Sequence, residues 1–236
     1  MKSKKWNEFY KLTGKCYACL AGIEQDRRCW QEAFAVLKEI VTEARNSRPE
    51  YFAELYQLDE ETDYQYDVEG WLEDYLDEVD MREEHEKALE VCDELLGMFR
   101  WEEEKPSDIK FLKASALGNL GRNEDALQFC RQWMAEEPDN IMAVAAKIYT
   151  DIRSHDHEDA EKLIKQHIRE ETRCTEENDI LFTAASVFYK ASGNKKEQKR
   201  MERALKEYED DLEQYLMGMD DGDLMFEDED DDGLFF

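Results

Sequence analysis

Apolar residues recur every three or four positions through almost the whole chain, the spacing imposed by a helix turn. From Trp30 to Arg45 this places Ala33, Phe34, Leu37, Ile40, Val41 and Ala44 on one face. From Met81 to Phe99 it does the same with Ala88, Leu89, Val91, Cys92, Leu95 and Leu96. Such stretches, roughly 12–18 residues each, are separated by short polar turns, and no segment alternates as a half-buried strand would. Ten glycines and three prolines in 236 residues supply too little turn chemistry for a many-stranded fold. Apolar residues make up 42% of the chain, enough to bury a core and to exclude a wholly disordered polymer. The expected class is all-α.

The charge is lopsided: 31 Lys and Arg against 60 Asp and Glu, a net −29 at pH 7. Direct binding to DNA, RNA or an anionic lipid surface needs a cationic face, so none of these is expected as a partner. The longest apolar run, Cys16–Ile23, is far short of the ~20 residues that span a bilayer. Met1-Lys-Ser-Lys-Lys5 resembles the start of a signal peptide, but Trp6, Asn7, Glu8 and Lys11 interrupt the apolar core one requires. The expected location is cytoplasmic. Cysteines 16, 19, 29, 92, 130 and 174 are scattered through helical patterns, as reduced core thiols are. Cys16-x-x-Cys19 with Cys29 has a metal-like spacing, yet no second CxxC or nearby histidine completes a four-ligand site. His155-x-His157 falls in an inter-helix turn, and His85 and His167 stand alone, so no metal or other cofactor is expected.

The helices repeat. The clearest unit is Ser107–Asn140, 34 residues, with Ala114 at position 8, Leu117 at 11, Gly121 at 15, Ala126 at 20 and Pro138 at 32. Small Ala114 and Ala126 let two helices approach, Gly121 permits the tight turn between them, and Pro138 ends the second. This unit resembles a tetratricopeptide (TPR) repeat, departing from it at Lys110 and Lys113, where Trp and Leu are favoured. The register extends to 141–174, through Ile148, Ala160, Ile164 and His167, and back to 69–102, through Tyr75, Leu76, Ala88, Cys92 and Leu95. A degenerate unit covers 179–211, with Ser186, Tyr189, Gly193 and Leu205 in the corresponding places. Residues 1–48 form a further helix pair, Trp6–Ile23 with Trp30–Arg45, and 49–68 break the period with a short helix, Glu50–Leu58, and an acidic loop. The resemblance implies a right-handed solenoid of antiparallel helix pairs; the alternative is an irregular helical bundle.

Residues 219–236 change character: nine acidic side chains and no Lys or Arg lie in 220–236, leaving −20 for residues 1–219. Such a block repels itself and is expected to be disordered. Within it Leu224, Met225 and Phe226 are echoed by Leu234, Phe235 and Phe236, acidic-flanked hydrophobes available to a partner.

No phosphate-binding, zinc-protease or nucleophile-elbow motif is present, and no enzymatic activity is expected. A solenoid presents a concave groove instead. The resemblance places Glu73, Asp77, Asp80, Phe111, Ser115, Asn119, Met142 and Tyr149 in that groove. Phe111, Ser115 and Glu73 stand where chaperone-binding relatives carry a cationic clamp for a C-terminal carboxylate, so that clamp is absent. The expected activity is a non-enzymatic scaffold binding a basic or amphipathic protein segment. The alternative is a regulatory or decoy role for the tail, docking on the basic island Lys195, Lys196, Lys199, Arg200, Arg203 and Lys206 or mimicking nucleic acid.

Overall fold

A computed structural model describes residues 4–219. Among them are eleven helices and no strand, so the chain is all-α as its period dictates. The helices are α1 (Lys4–Leu20), α2 (Arg28–Ser47), α3 (Gln57–Glu60), α4 (Val68–Met81), α5 (His85–Met98), α6 (Ser107–Asn119), α7 (Asn123–Glu136), α8 (Ile141–Arg153), α9 (His157–His167), α10 (Asp179–Ala191) and α11 (Lys195–Met219). The described residues divide into two compact units, the first ending at Ala126 and the second beginning at Leu127.

In the first unit, α1 buries Trp6, Phe9, Thr13, Cys16 and Cys19, one residue per turn, against α2. Aromatic rings join these helices to α4. Trp30 of α2 stacks on Trp71 (5.9 Å, 17°) and Tyr75 (5.7 Å, 9°) of α4, and Phe9 meets Trp71 edge-on at 5.1 Å. Each such pair contributes about 0.5–1.5 kcal/mol beyond the area it buries. The start of α4 is fixed from outside the helix. Asp67, the residue before it, is left-handed (φ 46°) and makes no cap. The buried carboxylate of Asp59 in α3 accepts the backbone N–H of Val68 (2.7 Å) and of Glu69 (3.0 Å) instead. Helix α5 packs on α4 and α6, and Lys38 of α2 grips Glu94 of α5 at 2.7 Å. After α6, Gly121 adopts φ +73°, and Arg122 N–H returns to Leu117 O at 2.9 Å, closing the tight turn expected there.

Two local expectations are corrected. The helix expected at Glu50–Leu58 is reduced to the single turn of α3. Phe52 is left-handed (φ 53°), and the Arg45 guanidinium draws the carbonyls of Tyr51 and Phe52 out of any helical ladder. The continuous period of Met81–Phe99 is broken at 82–84, where Glu83 takes φ 57° and the chain turns from α4 into α5.

In the second unit, α8 is buried nearly all round and packs on α9 and α10; α10 also packs on α9 and α11. Ala143, Ala145 and Ala146 keep the α8 surface low enough for close approach. Asn140 and Asp156 cap α8 and α9 by accepting from Ala143 N (3.2 Å) and Asp159 N (3.3 Å). Lys147 and Asp151, one turn apart on α8, form an ion pair with both side chains buried. Helix α11 continues past the expected boundary at 211 to Met219, and its residues 211–217 are all exposed. The tail motif residues Leu224, Met225, Phe226, Leu234, Phe235 and Phe236 lie outside the described residues.

Candidate interaction cleft

Between α4, α6 and the α5–α6 connection, the first unit opens a cleft of about 540 Å³. Its α4 wall carries Glu69, Glu73, Asp77 and Asp80, spaced by four, four and three residues, so their carboxylates form one stripe. At 1.5 Å per residue the stripe is about 16 Å long. The opposite rim has Glu104 and Asp108, together with Lys105. Beneath them lie Leu55, Leu72, Leu76, Leu95, Ile109 and Leu112, with Trp101 and Phe111 at the side. Some carboxylates elsewhere in this unit are matched: Glu78 with Arg27 and Arg82, Glu94 with Lys38, Asp93 with Lys113. The cleft carboxylates have no such ion pair among the described residues.

Glu69 registers that imbalance. Desolvation in the cleft, followed by the like charges of Glu104, Asp59, Glu73 and Asp67, pushes its carboxyl up to about 7. The two walls are held in place independently of any ligand. The connection after α5 is strapped to the 50–57 segment: Arg100 N–H donates to Ala53 O (2.8 Å), Glu102 N–H to Glu54 Oε1 (3.3 Å) and Tyr56 O–H to Glu103 Oε2 (3.0 Å). Trp101 is left-handed (φ 57°), an uncommon conformation for a bulky residue, and its Nε1–H reaches Leu95 O at 3.2 Å. These bonds set the indole against the apolar floor, edge-on to Phe99 at 5.5 Å.

Of the groove residues expected from the sequence, Glu73, Asp77, Asp80, Phe111 and Ser115 meet in this one cleft. The three acidic residues are exposed and the other two half-buried. Asn119 is exposed near the end of α6 and is not among the lining residues. Met142 and Tyr149 belong to α8 of the second unit, where both are half-buried and burial raises the Tyr149 phenol. Sequence reasoning missed Glu69, Glu104 and Trp101. Glu69 lay four residues before Glu73, a signal visible in the spacing; the other two sit in an aperiodic connection that carries no signal.

Other candidates resolve differently. Cys19 Sγ lies 3.9 Å from Cys29 Sγ in the core, and burial raises the Cys16 and Cys19 thiols, which favours the inert thiol over the reactive thiolate. Among the described residues no group of three or more His, Cys, Asp or Glu is arranged to hold a metal ion. On α11, Arg200 is engaged by Glu197 (2.9 Å) and Arg169 O (3.3 Å), and Arg203 by Glu207 (3.5 Å), while Lys195, Lys196, Lys199 and Lys206 are exposed. Among the described residues no helix is long and apolar enough to cross a membrane. Compared with known proteins, the chain matches no family model, no curated protein and no solved structure.

Proposed function

We propose that this chain is a non-enzymatic cytoplasmic scaffold, built from TPR-like helix pairs as a right-handed solenoid, whose cleft captures a basic, hydrophobic segment of another protein. One observation carries the reading: a stripe of carboxylates without cationic partners runs along a cleft with an apolar floor. Removing apolar side chains from water supplies non-directional affinity, while opposite charge speeds encounter and selects the partner. An amphipathic helix with a cationic flank meets both demands, laying its apolar face against Leu72, Leu76 and Leu112. The repeat register of 69–102 and 107–140 supports the solenoid, because it assigns α4 and α6 the same place in successive pairs.

The test uses an 18-residue Leu/Lys peptide with helical amphipathic period and a scrambled peptide of identical composition, followed by fluorescence anisotropy. The periodic peptide is expected to bind tighter, and Phe111→Ala to weaken it about tenfold, the size of a single interface anchor. Equal binding of both peptides, or no effect of Phe111→Ala in a variant with unchanged melting temperature, overturns the cleft as a docking site.

A further inference from the structure

The first unit holds a second cavity, of about 740 Å³, that shares no lining residue with the interaction cleft. Its size falls within the ~300–1,000 Å³ of small-molecule sites. Three segments supply aromatic walls: Trp6 from α1, Tyr51 and Phe52 from the stretch after α2, and Tyr66 from the stretch before α4. Trp6 stacks on Tyr66 at 4.9 Å and 8°, and the Tyr51 and Phe52 rings lie 4.2 Å apart. Trp6, Phe52 and Tyr66 are buried, whereas the three carboxylates that line the same cavity, Glu43, Glu61 and Asp63, are exposed. The cavity thus has an aromatic base and an acidic rim. Tyr66 is more than nine-tenths buried and its hydroxyl finds no hydrogen-bond partner among the described residues, which leaves one polar group of this wall unsatisfied. No Lys or Arg lines the cavity. The cations closest to these segments are engaged elsewhere: Lys5 with Glu39 and Glu43, and Arg45 with the carbonyls of Tyr51 and Phe52. Arg48 sits over the Tyr51 ring at 3.5 Å, so one ring of this group already attracts a weakly hydrated cation.

We propose that this cavity binds a quaternary ammonium group, of the kind carried by choline or by a trimethylated lysine. The walls ask for two properties at once, apolar contact at the base and positive charge towards the rim. A primary ammonium has the charge, but it is strongly hydrated and gives up its water reluctantly. Methylation removes the N–H donors and spreads the charge over carbon that packs against rings, whose electron-rich faces attract it. Glu43, Glu61 and Asp63 supply the counter-charge. The same three carboxylates repel quaternary ammoniums that bring their own phosphate or carboxylate, so the ligand is a net cation.

The experiment is titration calorimetry of the full chain with three probes at equal ionic strength. These are choline, ethanolamine (the charge without the methyls) and the alcohol in which a tert-butyl group replaces trimethylammonium (the shape without the charge). Choline is expected to bind about tenfold tighter than either, the size of a cation–π contribution in a desolvated site. Glu61→Gln/Asp63→Asn, at two exposed positions, is expected to weaken choline and leave the alcohol unchanged. Trp6→Leu is expected to abolish the preference for choline over ethanolamine. A trimethyllysine peptide and its unmethylated twin distinguish the sources: binding tighter than choline assigns the site to a modified protein side chain, and binding no tighter assigns it to a small cation. Choline binding no better than the alcohol would reduce the cavity to an apolar hole. Choline binding no better than ethanolamine would reduce it to an acidic rim. Either result, or the absence of saturable choline binding, overturns the proposal without touching the peptide cleft.

Discussion

The ion pair of Lys147 and Asp151 gives the sharpest test of the energetics of the second unit. Replacing Lys147 by Met keeps the packed stem and removes the charge. Asp151 is fully buried, and its Oδ2 has no hydrogen-bond partner among the described residues. Burial raises its carboxyl even with Lys147 pulling the other way. Without the lysine the carboxylate takes up a proton on folding. Forming the neutral acid at pH 7, from an unfolded value near ~3.9, costs about 4 kcal/mol, an upper bound on the loss because burial already raises the carboxyl with Lys147 present. That matches the ~3–5 kcal/mol lost when one partner of a buried pair is deleted. The native state then binds the extra proton, so stability rises as pH falls, and the bound on the loss shrinks to about 1.5 kcal/mol at pH 5. Lys147→Met/Asp151→Leu, which removes both charges, is expected to be near neutral or stabilising. Urea unfolding by circular dichroism at pH 5 and pH 7, with amide exchange of α8 peptides to localise the change, reads all three variants. A Lys147→Met loss below ~1 kcal/mol at pH 7, or one independent of pH, would refute the reasoning.

Further outcomes follow from single contacts. Asp59→Ala removes both acceptors at the start of α4 and should cost about 1–3 kcal/mol by thermal unfolding, more than an exposed cap, because the Val68 N–H is buried. Trp71→Ala removes a fully buried indole packed on Trp30, Tyr75 and Phe9 and should cost roughly 3–5 kcal/mol in urea. Glu69 has a folded pKa raised above its unfolded value, so the stability it contributes is complete below about 4.3 and lost as pH rises through about 7. Melting temperature should therefore fall between pH 5 and pH 8, and Glu69→Gln should flatten the profile. Gly121→Ala meets no atom within 4 Å but sits at φ +73°, so it should cost about 1 kcal/mol through backbone strain alone.

Helical class was legible because burial on a helix follows local spacing: the face read on Trp30–Arg45 is the face α2 buries. The same locality brought Glu73, Asp77 and Asp80 into one stripe and put Phe111 and Ser115 on the opposite wall. Contacts between distant segments left no trace in the period. Nothing in Asp59 announces that it caps a helix beginning at Val68, and nothing in Arg45 announces that it dismantles the next helix. Glu104 and Trp101 depend on a connection whose course is set by bonds to residues 53, 54 and 56. Counting charges also hid which carboxylates gather along one cleft, over an apolar floor.

The stacked rings of Trp30, Trp71 and Tyr75 have an optical consequence. Near-parallel chromophores less than 6 Å apart share their excitation, so their near-ultraviolet circular dichroism is a property of the stack rather than of each ring. The share of that signal contributed by Trp30 is lost when α2 and α4 part, even if both stay helical. The ring cluster is thus a natural chiral reporter of the α2–α4 contact in the first unit.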